Sequence, residues 1–249
     1  MESTRLGANL EPTPELPGYL GATSYSAILT EHHSDLPFEI DSSTVTGTPV
    51  RAVDPDRLRA GVELLKLIYD LPIYDVLVRK LYSKKAMVVV PMIIIDAIIE
   101  SLRSTFDSLD LGSDIEAQFQ ALVYQISQNT SRPLTTHRSM SVHEYCASFS
   151  GKSLRWESLG IVLSISGISL MSTSDNDPDL VQVAPSSEAR ERLRAQIVEA
   201  SGICLNFCDQ ASSINELLGF TQYNDVMLKT QHFGDTSMLT SSPIGTGPR

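Results

Sequence analysis

The sequence is poor in cysteine, in tryptophan and in positive charge. Among 249 residues it has three cysteines, one tryptophan, and nineteen Lys and Arg against thirty Asp and Glu, a net charge of -11. Three cysteines, Cys146, Cys204 and Cys208, are an odd and small number that excludes a disulfide framework and points to a reducing compartment. A chain that grips nucleic acid through its own surface needs clustered Lys and Arg to neutralise phosphates. Here the densest basic cluster is Arg79-Lys80 followed by Lys84-Lys85, which reads as a solvated helix face, so no direct nucleic-acid binding is expected. No apolar run can span a bilayer. The strongest, Met87 to Ile95, is broken by Asp96 and preceded by lysines, and it reads as buried core. The first residues, Met1-Glu2-Ser3-Thr4-Arg5, lack the apolar centre of a secretory signal. A soluble intracellular protein without membrane contact is the expectation.

What is present is helical patterning. Residues 1–50 are punctuated by Pro12, Pro14, Pro17, Pro37 and by Gly7, Gly18, Gly21, Gly47, which prevents a long helix and predicts an extended arm. Its apolar Leu16, Tyr19, Leu20, Tyr25, Ile28 and Leu29 predict that part of it is tied down. Residues 51–240 predict a helical domain, and 241–249 a tail without pattern. Asp54-Pro55 supplies a cap and a first-turn proline, Leu58, Val62, Leu65 and Ile68 recur at helical spacing, and Pro72 predicts the stop. A second helix is expected from about Ile73 to Lys85. A third should carry Pro91 in its first turn and run past Leu102 to Phe106 or Leu109, with Val88 to Val90 as its approach. Ser113 with Glu116, Ser141 with Glu144, and Ser213 with Glu216 have the spacing of reciprocal N-caps. After Ser187 the stripe Leu193, Ile197, Ala200, Cys204, Phe207 and Ala211 keeps to one helix face. Leu154 to Met171 is apolar almost all round and belongs at the centre of a bundle, with Gly160, Ser164 and Gly167 allowing close approach. The fold class is all-α, a bundle of roughly eight helices with no internal repeat.

Candidate chemistry is thin. Gly151-Lys152-Ser153 ends like a phosphate loop, but Cys146 stands where that loop needs its first glycine, and a helix rather than a strand precedes it. Cys204 and Cys208 share a helix face, and with His143 and Cys146 they make a conceivable four-ligand zinc set; packing as small hydrophobes is the preferred reading. His32, His33, His137 and His232 have no recognisable nucleophile beside them, and neither Gly-x-Ser-x-Gly nor His-Glu-x-x-His occurs. Asp175, Asn176, Asp177 and Asp179 lack the glycine and glutamate of a calcium loop and read as a solvated loop ended by a proline. Trp156 fits a core anchor better than a pocket wall. No catalytic, cofactor-binding or metal-binding residue is assigned.

Several stretches, in order, resemble the middle homology region of fungal zinc-cluster transcription factors. They are Leu16 to Ala27, Leu64 to Pro72, Asn129 to Leu134, Leu154-Arg155-Trp156-Glu157-Ser158-Leu159-Gly160-Ile161, and Glu199 to Leu205. The resemblance covers about residues 16 to 240. It implies a helical regulatory domain, a nuclear location and a part in controlling transcription, with no catalytic residue carried over. The family's six-cysteine cluster is not among these three cysteines, and the family's helical region extends beyond the point where this chain stops. The chain therefore reads as a partial member, not sufficient for DNA binding. A protein partner or a full-length relative is the expected partner, with a small-molecule effector possible. The alternative is a small helical enzyme or metabolite-binding protein, whose ionisable cluster would lie near His143, Cys146 or Asp225.

Overall fold

The computed structural model describes residues 54–84, 88–110, 112, 114–137, 139–209 and 214–234. The arm at 1–50, the tail at 241–249, Ser113, Ser213 and Ala211 lie outside the described residues. Among the described residues the regular structure is nine α-helices and one 3-10 turn, with no strand, so the fold is all-α.

The first helix, α1, spans Pro55–Ile68 and follows the Asp54-Pro55 signal, burying Val62, Leu65 and Ile68. Pro72 does not act as its stop. It sits in the first turn of α2, Leu71–Ser83, two residues earlier than the spacing predicts. A proline there gives up an N–H that has no helical acceptor in any case. The next helix, α3, spans Met92–Asp107, with Pro91 just outside at the N-cap position. Residues 88–90 are neither helix nor strand. Val90 is buried, and its carbonyl accepts from the Tyr82 hydroxyl at 2.6 Å.

Asp114 opens α4, Ile115–Ser131, accepting from the Ala117 N–H at 3.2 Å. The short α5, Val142–Ala147, carries the reciprocal Ser141–Glu144 cap that its sequence predicts. A 3-10 turn, Gly151–Ser153, leads into α6, Trp156–Met171. The acidic loop then runs into α7, Pro178–Val183, a six-residue helix that the sequence reading leaves inside the loop. Asp177 caps it by accepting from the N–H groups of Asp179 and Leu180. Next come α8, Ser187–Asp209, and α9, Glu216–Phe233, the latter capped by Asn215, which accepts from Leu218 N–H at 2.9 Å.

At the centre is α6. Only Ile168 and Met171 along it escape full burial. It packs most extensively on α8 and α9, then on α2, with α3 and α4 adding smaller contacts. Two of its buried serines are satisfied in this apolar setting by the helix itself: Ser164 and Ser166 donate back to the carbonyls of Gly160 and Val162, both at 2.7 Å, whereas the buried Ser169 hydroxyl has no hydrogen-bond partner.

Glycine placement gives a test of the packing. A Cβ at Gly160 would stand 2.6 Å from Thr221 Cγ2 and 3.1 Å from Cys204 Cβ. Thr221 cannot turn aside, since its hydroxyl donates to the carbonyls of Leu217 and Glu157. Gly160→Ala is expected to destabilise by about 1–3 kcal/mol despite the better helix former. Gly219 lies on the exposed side of α9 with nothing within 4 Å, so Gly219→Ala should stabilise by about 0.4–1 kcal/mol. Urea titrations of the two variants should shift in opposite directions.

Candidate functional site

The stretch Leu154 to Ile161 folds into a buried polar junction where α4, α6 and α9 meet. Arg155 and Glu157 are 3% and 1% exposed. The Arg155 guanidinium donates to Glu157 Oε1 at 3.0 Å and to the carbonyls of Asn129, Thr130 and Arg132 at 2.6, 3.0 and 2.9 Å. It thereby closes the C-terminal end of α4, where unpaired carbonyls and the helix dipole favour a cation. Glu157 also accepts from Asn215 Nδ2 at 3.0 Å, which ties in the start of α9. Trp156 is fully buried. Its backbone N–H donates to Thr130 Oγ1 at 2.9 Å and its indole N–H to Ser127 Oγ at 3.1 Å. Asn129 donates to the carbonyls of Lys152 and Leu154 at 2.8 and 2.9 Å. Two of the stretches quoted for the resemblance, Asn129 to Leu134 and Leu154 to Ile161, thus bond to each other. Their conspicuous residues are occupied in holding helices together.

The other candidates also find structural uses. Gly151 has φ of +57°, which only glycine adopts without strain, and its N–H donates to Ser101 Oγ. The Lys152 carbonyl accepts from Gln125 and Asn129. This turn follows α5 and presents no cradle of N–H groups. Cys204 and Cys208 are buried in α8, and burial pushes both thiols well above their usual range. Cys146 is shifted the same way, while His143 on the same short helix is exposed. A thiol held neutral is a poor nucleophile and a poor ligand. Among the described residues no three His, Cys, Asp or Glu side chains gather closely enough to hold a metal ion. Asp225 is 2% exposed and accepts from Ser201 at 2.9 Å and Lys229 at 2.7 Å. The acidic loop is pinned rather than freely solvated: Asp175 pairs with Arg190 and Arg194, and Asp177 and Asp179 share Lys80. His32 and His33 lie outside the described residues. His137 bonds to Ser139, and His232 meets Phe233 edge-on.

An open groove lies between α1 and α8. It consists of two adjoining hollows of about 460 and about 400 Å³ that share Asp56, Ala60, Glu199 and Ile203. The start of α1 lines it opposite Phe207 and the end of α1 opposite Gln196, so the two helices run antiparallel along it. Ala60, Leu64, Leu67, Ala200 and Ile203 form the apolar floor, and Asp56, Glu63 and Glu199 stand on the rims. One end is closed by Arg57, whose guanidinium lies 4.4 Å from the centre of the Phe207 ring and donates to the Phe207 carbonyl at 2.7 Å. Trp156 meets the same Phe207 ring edge-on, with ring centres 4.7 Å apart. Sequence reading placed Phe207 on the core stripe but had no signal for Arg57, whose partner is 150 residues away.

Compared with known proteins, the chain matches no family model, no curated protein and no solved structure. Among the described residues no helix is long and apolar enough to cross a membrane.

Proposed function

We propose that the chain is a non-catalytic regulatory module of the zinc-cluster type of transcription regulator, working in the nucleus by binding rather than by chemistry. The observation that carries the reading is the ordered resemblance across residues 16 to 240, above all Leu154 to Ile161. Two features support the binding role. The ionisable groups proposed for an active site, Cys146, His143 and Asp225, do not converge, and Asp225 is committed to Ser201 and Lys229. The α1–α8 groove falls in the size range of small-molecule sites and has an apolar floor between rims rich in charged and polar side chains, among them Asp56, Arg59, Glu63, Gln196 and Glu199. A small effector or a short segment of a partner would bind there. The three cysteines among these residues cannot form a six-cysteine cluster, so DNA contact would be supplied by something other than these residues.

The test is a reporter assay with the full chain fused to a foreign DNA-binding domain. The expected result is a severalfold change in reporter output against that DNA-binding domain alone. Ile203→Glu, which puts a charge on the groove floor, should abolish the change while circular dichroism stays helical. Output identical to the DNA-binding domain alone would overturn the reading.

A further inference from the structure

One side of α9 is buried and the other has no partner among the described residues. Leu217, Leu218, Thr221, Asn224, Asp225 and Leu228 turn inward. Opposite them Tyr223, Val226, Met227 and Phe233 are exposed by 45%, 43%, 38% and 56%. Isolated exposed apolar residues are ordinary, but four on one helix face are a surface. The line Gly219, Tyr223, Val226, Thr230, Phe233 advances by alternating steps of four and three residues. That is the repeat of about 3.5 that keeps one seam turned towards a second helix.

Gly219 adds a second observation. The buried glycines each make room for a neighbour: Gly61 for Val123, Gly160 for Thr221, Gly167 for Leu228. At Gly219 nothing lies within 4 Å, yet a glycine inside an exposed helix costs about 1 kcal/mol relative to alanine. It leaves a notch in the seam that no described side chain fills. Charge is the third. Beyond Glu216, the exposed residues of α9 are Gly219, Gln222, Tyr223, Val226, Met227, Gln231 and Phe233, none of them charged, and Lys229 is tied to Asp225. A chain of net charge -11 is repelled by its own copy, and this strip offers a surface on which two copies would not oppose carboxylates.

We propose that α9 is a self-association surface on which a second copy of this chain docks antiparallel, with the two-fold axis beside Val226. In such an isologous pair, residues equally far from Val226 in sequence face each other. Gly219 and Phe233 are such a pair, so the largest exposed side chain on the helix enters the notch left by the glycine, twice. The contact follows one helix for about 20 Å and falls short of the roughly 1,200 Å² of a standard interface. The dimer is accordingly weak, with a dissociation constant on the order of micromolar or above.

Sedimentation velocity on the full chain, from low micromolar to several hundred micromolar concentration, tests this. A concentration-dependent shift from monomer to dimer is expected. Val226→Glu puts two carboxylates face to face at the axis and should weaken the dimer by at least about tenfold. Val226→Lys should do the same, and mixing the two variants should restore pairing. Gly219→Leu fills the notch and should also give monomer, while its thermal midpoint does not fall. A monomer at every concentration would overturn the proposal, as would a dimer indifferent to Val226→Glu and Gly219→Leu. Failure of the mixed variants to pair would overturn the two-fold register. The reporter assay on the groove is independent of all these outcomes.

Discussion

Arg155→Ala should cost about 3–5 kcal/mol of unfolding free energy, enough to threaten folding of a domain of ordinary stability. Three losses coincide. Glu157 keeps a buried charge with only Asn215 donating to it, and the carbonyls of Asn129, Thr130 and Arg132 lose their donor. Removing one partner of a buried pair is far worse than never having had the pair, because the remaining charge stays desolvated. Glu157→Gln should be milder, about 1–2 kcal/mol, since the guanidinium keeps the α4 carbonyls as acceptors and a neutral amide is less costly to bury. The double replacement Arg155→Met with Glu157→Met separates two contributions. If the ion pair alone mattered, the double variant would approach wild-type stability; the carbonyls predict that a deficit of about 2 kcal/mol remains. Urea denaturation of the four proteins measures this directly. A loss below about 1 kcal/mol in Arg155→Ala would mean that water replaces the guanidinium and that the junction is not sealed.

The same junction shows what was legible in the sequence and what was not. The apolar period gave α1, α3, α6 and α8 with their ends displaced by no more than a few residues, because each buries a face that can be counted along the chain. Ser141 with Glu144 gave its cap, since donor and acceptor are three residues apart. At α4 and α9 the caps are Asp114 and Asn215, one and two residues beyond the serines that the spacing favoured. Several residues able to cap stand side by side there, and only tertiary position chooses among them. Pro72 was ambiguous for a related reason: a proline two residues past one helix is also a proline in the first turn of the next. Short α7 has six residues and no period to read. Least legible were pairings across long separations. Arg155 beside Glu157 looks like any adjacent pair of opposite charges on a surface, and only the fold shows that both are buried. Arg57 looks like the solvated side of α1, and only the fold brings it to Phe207. The groove is made of such pairings, so no local pattern announces it.

Trp156→Ala should rank with Arg155→Ala, at about 3–5 kcal/mol, a fall in thermal midpoint of roughly 6–20 °C for a domain of this size. Its ring is fully buried, edge-on to Phe207 at 4.7 Å, and in reach of Gly61. Alanine removes the support of Phe207, and with it the platform on which Arg57 closes the end of the groove. Trp156→Phe retains most of the packing but loses the bond from Nε1 to Ser127 and some volume, so about 1–3 kcal/mol is expected. These magnitudes distinguish an anchor from a pocket wall. A tryptophan lining a ligand site would be partly exposed, and truncating it would weaken binding more than folding. As the only tryptophan in the chain, Trp156 also reports on itself. Its fluorescence should be blue-shifted in the native protein and should shift red in the same urea transition that unfolds the helices. A red-shifted native emission, or a Trp156→Ala protein that melts within about 2 °C of wild type, would place the indole in water and would remove the anchor that joins the core to the α1–α8 groove.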